Sequence, residues 1–111
     1  MRVLIVKPNE HPIQKDINND LKTLQSIVGG YMEVIYPFHD TAGLICNEDG
    51  KMLRLPLNRT IRDEDGRVLD IISGDFIIVG ISESDFCDLT DEQIKEYTTM
   101  FYKKEFYKKE F

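Results

Sequence analysis

Scarcity narrows the reading of this 111-residue chain first. It has two cysteines, Cys46 and Cys87, too few for a disulfide framework and without a Cys-x-x-Cys spacing. They read as small buried apolar residues of a reducing compartment, so a cytoplasmic location is the expectation. Histidine is equally rare: His11 and His39 lack the His-x-x-x-His spacing of a metal-ligand pair. The N-terminal apolar run "VLIV" stops at Lys7 and Pro8, well short of a signal-peptide core or a membrane span. Positive charge is missing where phosphate recognition would need it. The net charge is −6, and residues 61–100 carry three Lys or Arg against eleven Asp or Glu. A nucleic-acid binder shows the opposite bias, because phosphate neutralisation needs clustered cations. Nucleic-acid binding through the body of the domain is therefore not expected.

What is present reads as one folded domain. Hydrophobic residues make up 41% of the chain and charged residues 31%, the balance of a soluble core-forming protein rather than a disordered one. "RVLIVK" (2–7) reads as a buried strand and "NEHPIQKD" (9–16) as a loop. Ile17, Leu21, Leu24, Ile27 and Val28 recur at helical spacing, with Asn18 or Asn19 as the cap, Asp20 in the first turn and Gly29–Gly30 as the terminator. Strands are expected at 31–37, 42–47, 51–57, 67–72 and 75–81, with Pro56 placing the end of the third at an edge or bulge. "LTDEQIKEY" predicts a second helix with Thr90 and Gln93 in a capping box, Leu89 and Ile94 as a staple, and one face of Ile94, Tyr97 and Phe101. The fold class expected is α+β: a mainly antiparallel sheet of about four to six strands with helices over 17–29 and 90–104. Residues 1–104 form the domain. Residues 105–111, which complete a second copy of "FYKKE", read as a helical extension or frayed end, since a five-residue step cannot keep one helical face.

Two acidic segments end in glycine, "NEDG" (47–50) and "DEDG" (63–66). Each fits a hairpin turn in which Asn or Asp bonds a backbone amide two residues on and Gly takes the left-handed position. A calcium loop of the EF-hand type fails on register. With Gly66 at its sixth position, Ile61 and Ile72 fall at the first and twelfth, and Gly50 puts Ile45 first. No metal site and no cofactor are expected.

Catalytic spacing is also missing. Ser26, Ser73, Ser82 and Ser84 sit in no nucleophile elbow, Gly29–Gly30 follow a helix rather than opening one, and Cys46 lies inside an apolar strand where burial makes a thiol inert. One candidate surface stands out. Either His39 and Asp40 approach Asn58 and Arg59 as a polar pocket, with Asn47 and Glu48 at the far end of a hairpin pairing 44–47 with 51–57, or Asn58 caps a turn and Arg59 pairs with a surface acid. Asp63, Glu64, Asp65 and Asp70 form an acidic surface.

The ordered set "VLIVKP", "IVGGYMEVI", "LICNEDGKMLRLPLNR", "SGDFIIVG" and "LTDEQIKEY" resembles domain-of-unknown-function family three-eight-four-six over roughly residues 2–101. Its most specific pieces are "VGGY" and the linked "CNEDGK" and "LPLNR". The resemblance implies a setting in phages, plasmids and the Gram-positive bacteria that host them, but no activity. The duplicated tail departs from the family pattern. The functional expectation is a non-enzymatic binding protein of a mobile element that engages a host or phage protein, its acidic stretch meeting a basic surface. The alternative is a small-ligand domain that takes a nucleotide or other anionic metabolite on Arg59, Asn58 and Lys7.

Overall fold

The computed structural model describes residues 1–107. The elements run β1 (Arg2–Val6), β2 (Ile13–Asp16), α1 (Leu21–Val28), β3 (Met32–Ile35), β4 (Ala42–Asn47), β5 (Leu57–Arg62), β6 (Val68–Ser73), β7 (Phe76–Ile81), β8 (Phe86–Cys87) and α2 (Asp91–Met100). Six strands make an antiparallel sheet in the order β2-β1-β7-β4-β3, with β8 also pairing β7. β5 and β6 form a separate two-stranded sheet. The fold is α+β, as the pattern of runs and stripes implies.

Why the sheet is ordered this way follows from its three inner strands. β1, β7 and β4 read as continuous apolar runs because both faces of each are covered. Alternate residues feed two cores. Val3, Ile5, Ile45, Ile77 and Val79 pack with Leu24 and Val28 of α1. Leu4, Val6, Leu44, Cys46, Phe76 and Ile78 turn the other way, beneath Ile61 and Ile72 of the β5–β6 hairpin and Tyr97 of α2. The result is three layers, with α1 on one face and hairpin plus α2 on the other.

Several boundaries differ from expectation, each for a physical reason. α1 starts four residues late: Asp20, not Asn18 or Asn19, is the cap, its carboxylate accepting the Thr23 amide at 2.7 Å. Ile17 is drawn toward the sheet instead, its amide donating to the Met1 carbonyl at 2.9 Å. Gly29 ends the helix at φ 82°. "IQKD" inside the expected loop is β2, an edge strand with all four residues exposed. The expected pairing of 44–47 with 51–57 does not form. β4 pairs β3 and β7, and the strand near 51–57 begins only at Leu57 and pairs β6. α2 has both bonds of its capping box but stops at Met100 rather than residue 104. Phe101 leaves the helix for the core at 4% exposure, so Lys103 and Lys104 fall outside the last turn. Residues 104–107 carry no helix. The rest of the second "FYKKE" copy and Phe111 lie outside the described residues.

The twin acidic segments also part company. Asp63–Gly66 is a hairpin turn: the Asp63 carboxylate accepts the amides of Asp65 and Arg67 at 2.9 and 2.8 Å, and Gly66 takes φ 81°. Asn47–Gly50 turns the chain away from the sheet instead. Its Asn47 side chain accepts the Asp49 amide at 2.8 Å as an Asx turn does, but Gly50 has no positive φ. That glycine is needed for room, since a Cβ there would lie 2.9 Å from the Ser73 carbonyl oxygen.

Candidate functional site

β5 breaks the alternation of a strand. Its burial runs exposed, buried, buried, half-buried, buried, exposed, because the register shifts between Leu57 and Arg59. The bulge turns Asn58 and Arg59 inward together. Asn58 donates to the carbonyls of Val6 and Gly74 at 2.9 and 2.8 Å, tying the hairpin to the large sheet. Arg59 is 1% exposed. Its Nε donates to the Phe101 carbonyl at 3.1 Å, Nη1 to both oxygens of Asn58, and Nη2 to the carbonyls of Glu10 and Phe101 at 2.6 and 3.1 Å. Every guanidinium N–H is thereby occupied. Burial pushes the Arg59 pKa down, and the nearby Glu105 carboxylate opposes that push. The bonds to Phe101 place a cation at the negative end of α2. Arg59 therefore joins β5, the Glu10 loop and the end of α2, and it presents no free donor to an anion. Lys7, the third residue of the anion-binding expectation, is exposed and lies near Asp75.

Asp40 is held by α2. The Tyr97 hydroxyl donates to it at 2.7 Å and the Gln93 amide at 3.1 Å, two residues one helical turn apart. The hydrogen bond from Tyr97 keeps the Asp40 carboxyl below its ordinary range, with Gln93 and Thr41 adding to the effect against a smaller contribution from burial. Burial, and then Asp40 itself, push the Tyr97 phenol up. Phe38 packs on Tyr97 with ring centroids 4.6 Å apart and on Phe101 at 6.3 Å.

These contacts shape a cleft of about 670 Å³ between the β3–β4 loop, β5, α2 and the chain after α2. His39 and Asp40 of the expected pocket line it without Asn58 and Arg59, together with Asp63 and Glu64 of the separate acidic surface. The exposed His39 ring reaches across to Glu64 at 3.6 Å. Asn58 and Arg59 lie beneath and brace the walls without lining them. Residues not expected at a site complete it: Phe38, Arg62, Glu96, Met100, Lys103 and Glu105. Glu105 accepts the Thr60 amide at 2.8 Å, and the hydroxyls of Thr60 and Tyr107 lie 2.9 Å apart. Helical spacing places Tyr97 on an apolar face. The hydroxyl on an otherwise buried stripe was the available signal that something polar lay opposite.

The remaining expected residues go elsewhere. Asn47 is buried and donates to the Val28 carbonyl at 3.1 Å, satisfying the end of α1. It lines a second, smaller cavity of about 250 Å³ with Glu48, Cys46, Lys51 and Asp70. Asp70 is there paired with Lys51, while Asp65 sits exposed at the hairpin tip. The acidic quartet is thus split between two cavities and a turn. Burial and the neighbouring Glu33 push the Cys46 thiol up to about 12, and neither His39 nor Asp40 shares its cavity. No serine or cysteine among the described residues lines the cleft. Among the described residues no cluster of three or more His, Cys, Asp or Glu is arranged to hold a metal, and no helix is long and apolar enough to cross a membrane.

Fold and site together define an α+β domain with an acid-lined cleft braced by an internal arginine. The family model described as Domain of unknown function (DUF3846) matches residues 1–102, and the chain belongs to that family. No curated protein and no solved structure matches it.

Proposed function

We propose that this chain is a non-enzymatic binding protein, of the kind phages and plasmids carry, which engages a host or phage protein through the cleft between the β5–β6 hairpin and α2. The observation that supports this reading is the composition of the cleft walls. Asp40, Asp63, Glu64, Glu96 and Glu105 line the cleft together with Phe38 and Met100. Apolar surface ringed by charge is the anatomy of a protein contact rather than of a reaction centre. The resemblance in "VGGY" and "LPLNR" supports the mobile-element setting, and two unpaired cysteines support a reducing, cytoplasmic one. A small anionic ligand is the weaker reading, because the arginine it needs already has carbonyl and amide oxygens on all its donors.

Capture of a partner from bacterial host lysate by the tagged full chain tests this. Reversing Glu64 and Glu96 together to Lys should abolish capture, while the same charge change at Glu48 and Glu83, outside the cleft, should leave it intact. Equal capture by both pairs of variants would remove the cleft from the account.

A further inference from the structure

Accepting the cleft as the binding surface, we infer that its occupant is an extended, arginine-bearing segment of the partner, laid alongside the outer edge of β5. Three independent features converge on that chemistry. First, the wall formed by Thr60, Ile61 and Arg62 is a strand that, among the described residues, has one strand neighbour, β6. The outward amide of Thr60 is met by a side-chain carboxylate, Glu105, where a sheet would place a strand. Beyond that contact the edge along the cleft suits an extended backbone, which supplies main-chain hydrogen bonds in register. Second, the lining holds five carboxylates against the two fixed cations Arg62 and Lys103. Tyr97 donates to Asp40 and holds its carboxyl below the ordinary range. Third, Phe38 and the half-exposed Met100 offer apolar surface for the methylene stem of a long basic side chain, and Phe38 offers a ring for its head.

Arginine fits better than lysine. Its planar fork serves two carboxylate oxygens at once and stacks on rings, whereas an ammonium acts as a point charge. The cleft volume, about 670 Å³, lies in the range of roughly 300–1,000 Å³ that encloses compact ligands. It accommodates a few residues of a strand rather than a folded domain. Glu105 sits where the incoming backbone would begin, so the segment after α2 sets one end of the site.

The capped peptide Ac-Arg-Val-Arg-Val-NH2 places both arginines on one side of an extended chain, and Ac-Gln-Val-Gln-Val-NH2 is its neutral twin. Each is titrated into the isotope-labelled full chain and followed by amide chemical shifts. The arginine peptide should shift residues 38–40, 60–64 and 96–101 and should release at about 1 M salt, where screening reaches ~3 Å. Its affinity should fall about tenfold or more with Glu64→Lys plus Glu96→Lys, and less with the exposed, fold-neutral Glu64→Gln plus Glu96→Gln. Equal binding of the glutamine peptide would overturn the charge reading. Shifts centred on Glu83 and Asp85 would show non-specific attraction and overturn the site. A chain that ignores both peptides, yet still loses partner capture on cleft reversal, overturns this inference and leaves the protein-binding reading standing. No effect in either assay ends both.

Discussion

The two faces of the central sheet are closed by different chemistry. Beneath α1 the contacts are mainly aliphatic: Leu24 and Val28 sit on Val3, Ile5, Ile45, Ile77 and Val79, with the buried Asn47 side chain donating only to the end of the helix. Beneath the hairpin and α2 the aliphatic layer continues, but buried polar groups pin it, with Asn58, Arg59 and Gln93 each joining separate segments. Among the described residues no buried side-chain polar atom lacks a partner, so the polar face is fully satisfied rather than strained. The difference teaches where a binding surface can be afforded. An aliphatic layer collapses to close packing. Segments held apart by directional bonds leave an opening between them, and the cleft lies on that face.

Removing one residue from each face gives the largest expected effects. Arg59→Met keeps the volume of the side chain but deprives the Phe101, Glu10 and Asn58 carbonyls of their donor, with an expected loss of about 3–5 kcal/mol. It should also loosen the end of α2. Leu24→Ala, 2% exposed on the aliphatic face, should cost about 2–4 kcal/mol through a cavity and leave the α2 amides unchanged. Denaturant unfolding with amide exchange separates the two. A smaller loss from Arg59→Met than from Leu24→Ala would break the comparison.

A smaller effect carries a pH signature. Tyr97→Phe removes the hydroxyl that holds Asp40, with an expected cost of about 1 kcal/mol at neutral pH. Asp40 is depressed in the folded state, so its contribution is present above the unfolded carboxyl value of about 3.9 and is lost as pH falls through the lower folded value. The stability gap between wild type and Tyr97→Phe should therefore narrow from about pH 5 downward. A gap that stays constant into acid would assign the cost to packing.

The aliphatic face was legible and the polar face was not, for reasons visible in single residues. Inner strands announce themselves because a run such as "FIIVGI" has to be covered on both sides. Thr90 and Gln93 announce a helix start because the capping box is local. β5 was hidden because "LNRTIR" spells no alternation once a bulge turns Asn and Arg inward, whereas the alternating Leu53 and Leu55 nearby suggested a strand that does not form. β2 was hidden because an exposed edge strand has no apolar signature. Turn chemistry was read correctly at Asp63–Gly66. At Asn47–Gly50 the Asx bond was local and legible, but what the turn connects depended on the distant Ser73. The same limit applied to the site. His39 and Asp40 line the cleft with Asp63 and Glu64, a grouping the letters do not announce, while Arg59, expected beside them for a ligand, serves the fold. Charge and type are visible in letters; the side of the wall on which an arginine ends depends on long-range packing.

Hydrogen–deuterium exchange of the full chain, alone and with its captured partner, tests the central claim most directly. The account predicts new protection at residues 60–64 and 96–101 with none across residues 21–28 of α1. Protection over α1 and none along β5 would contradict it.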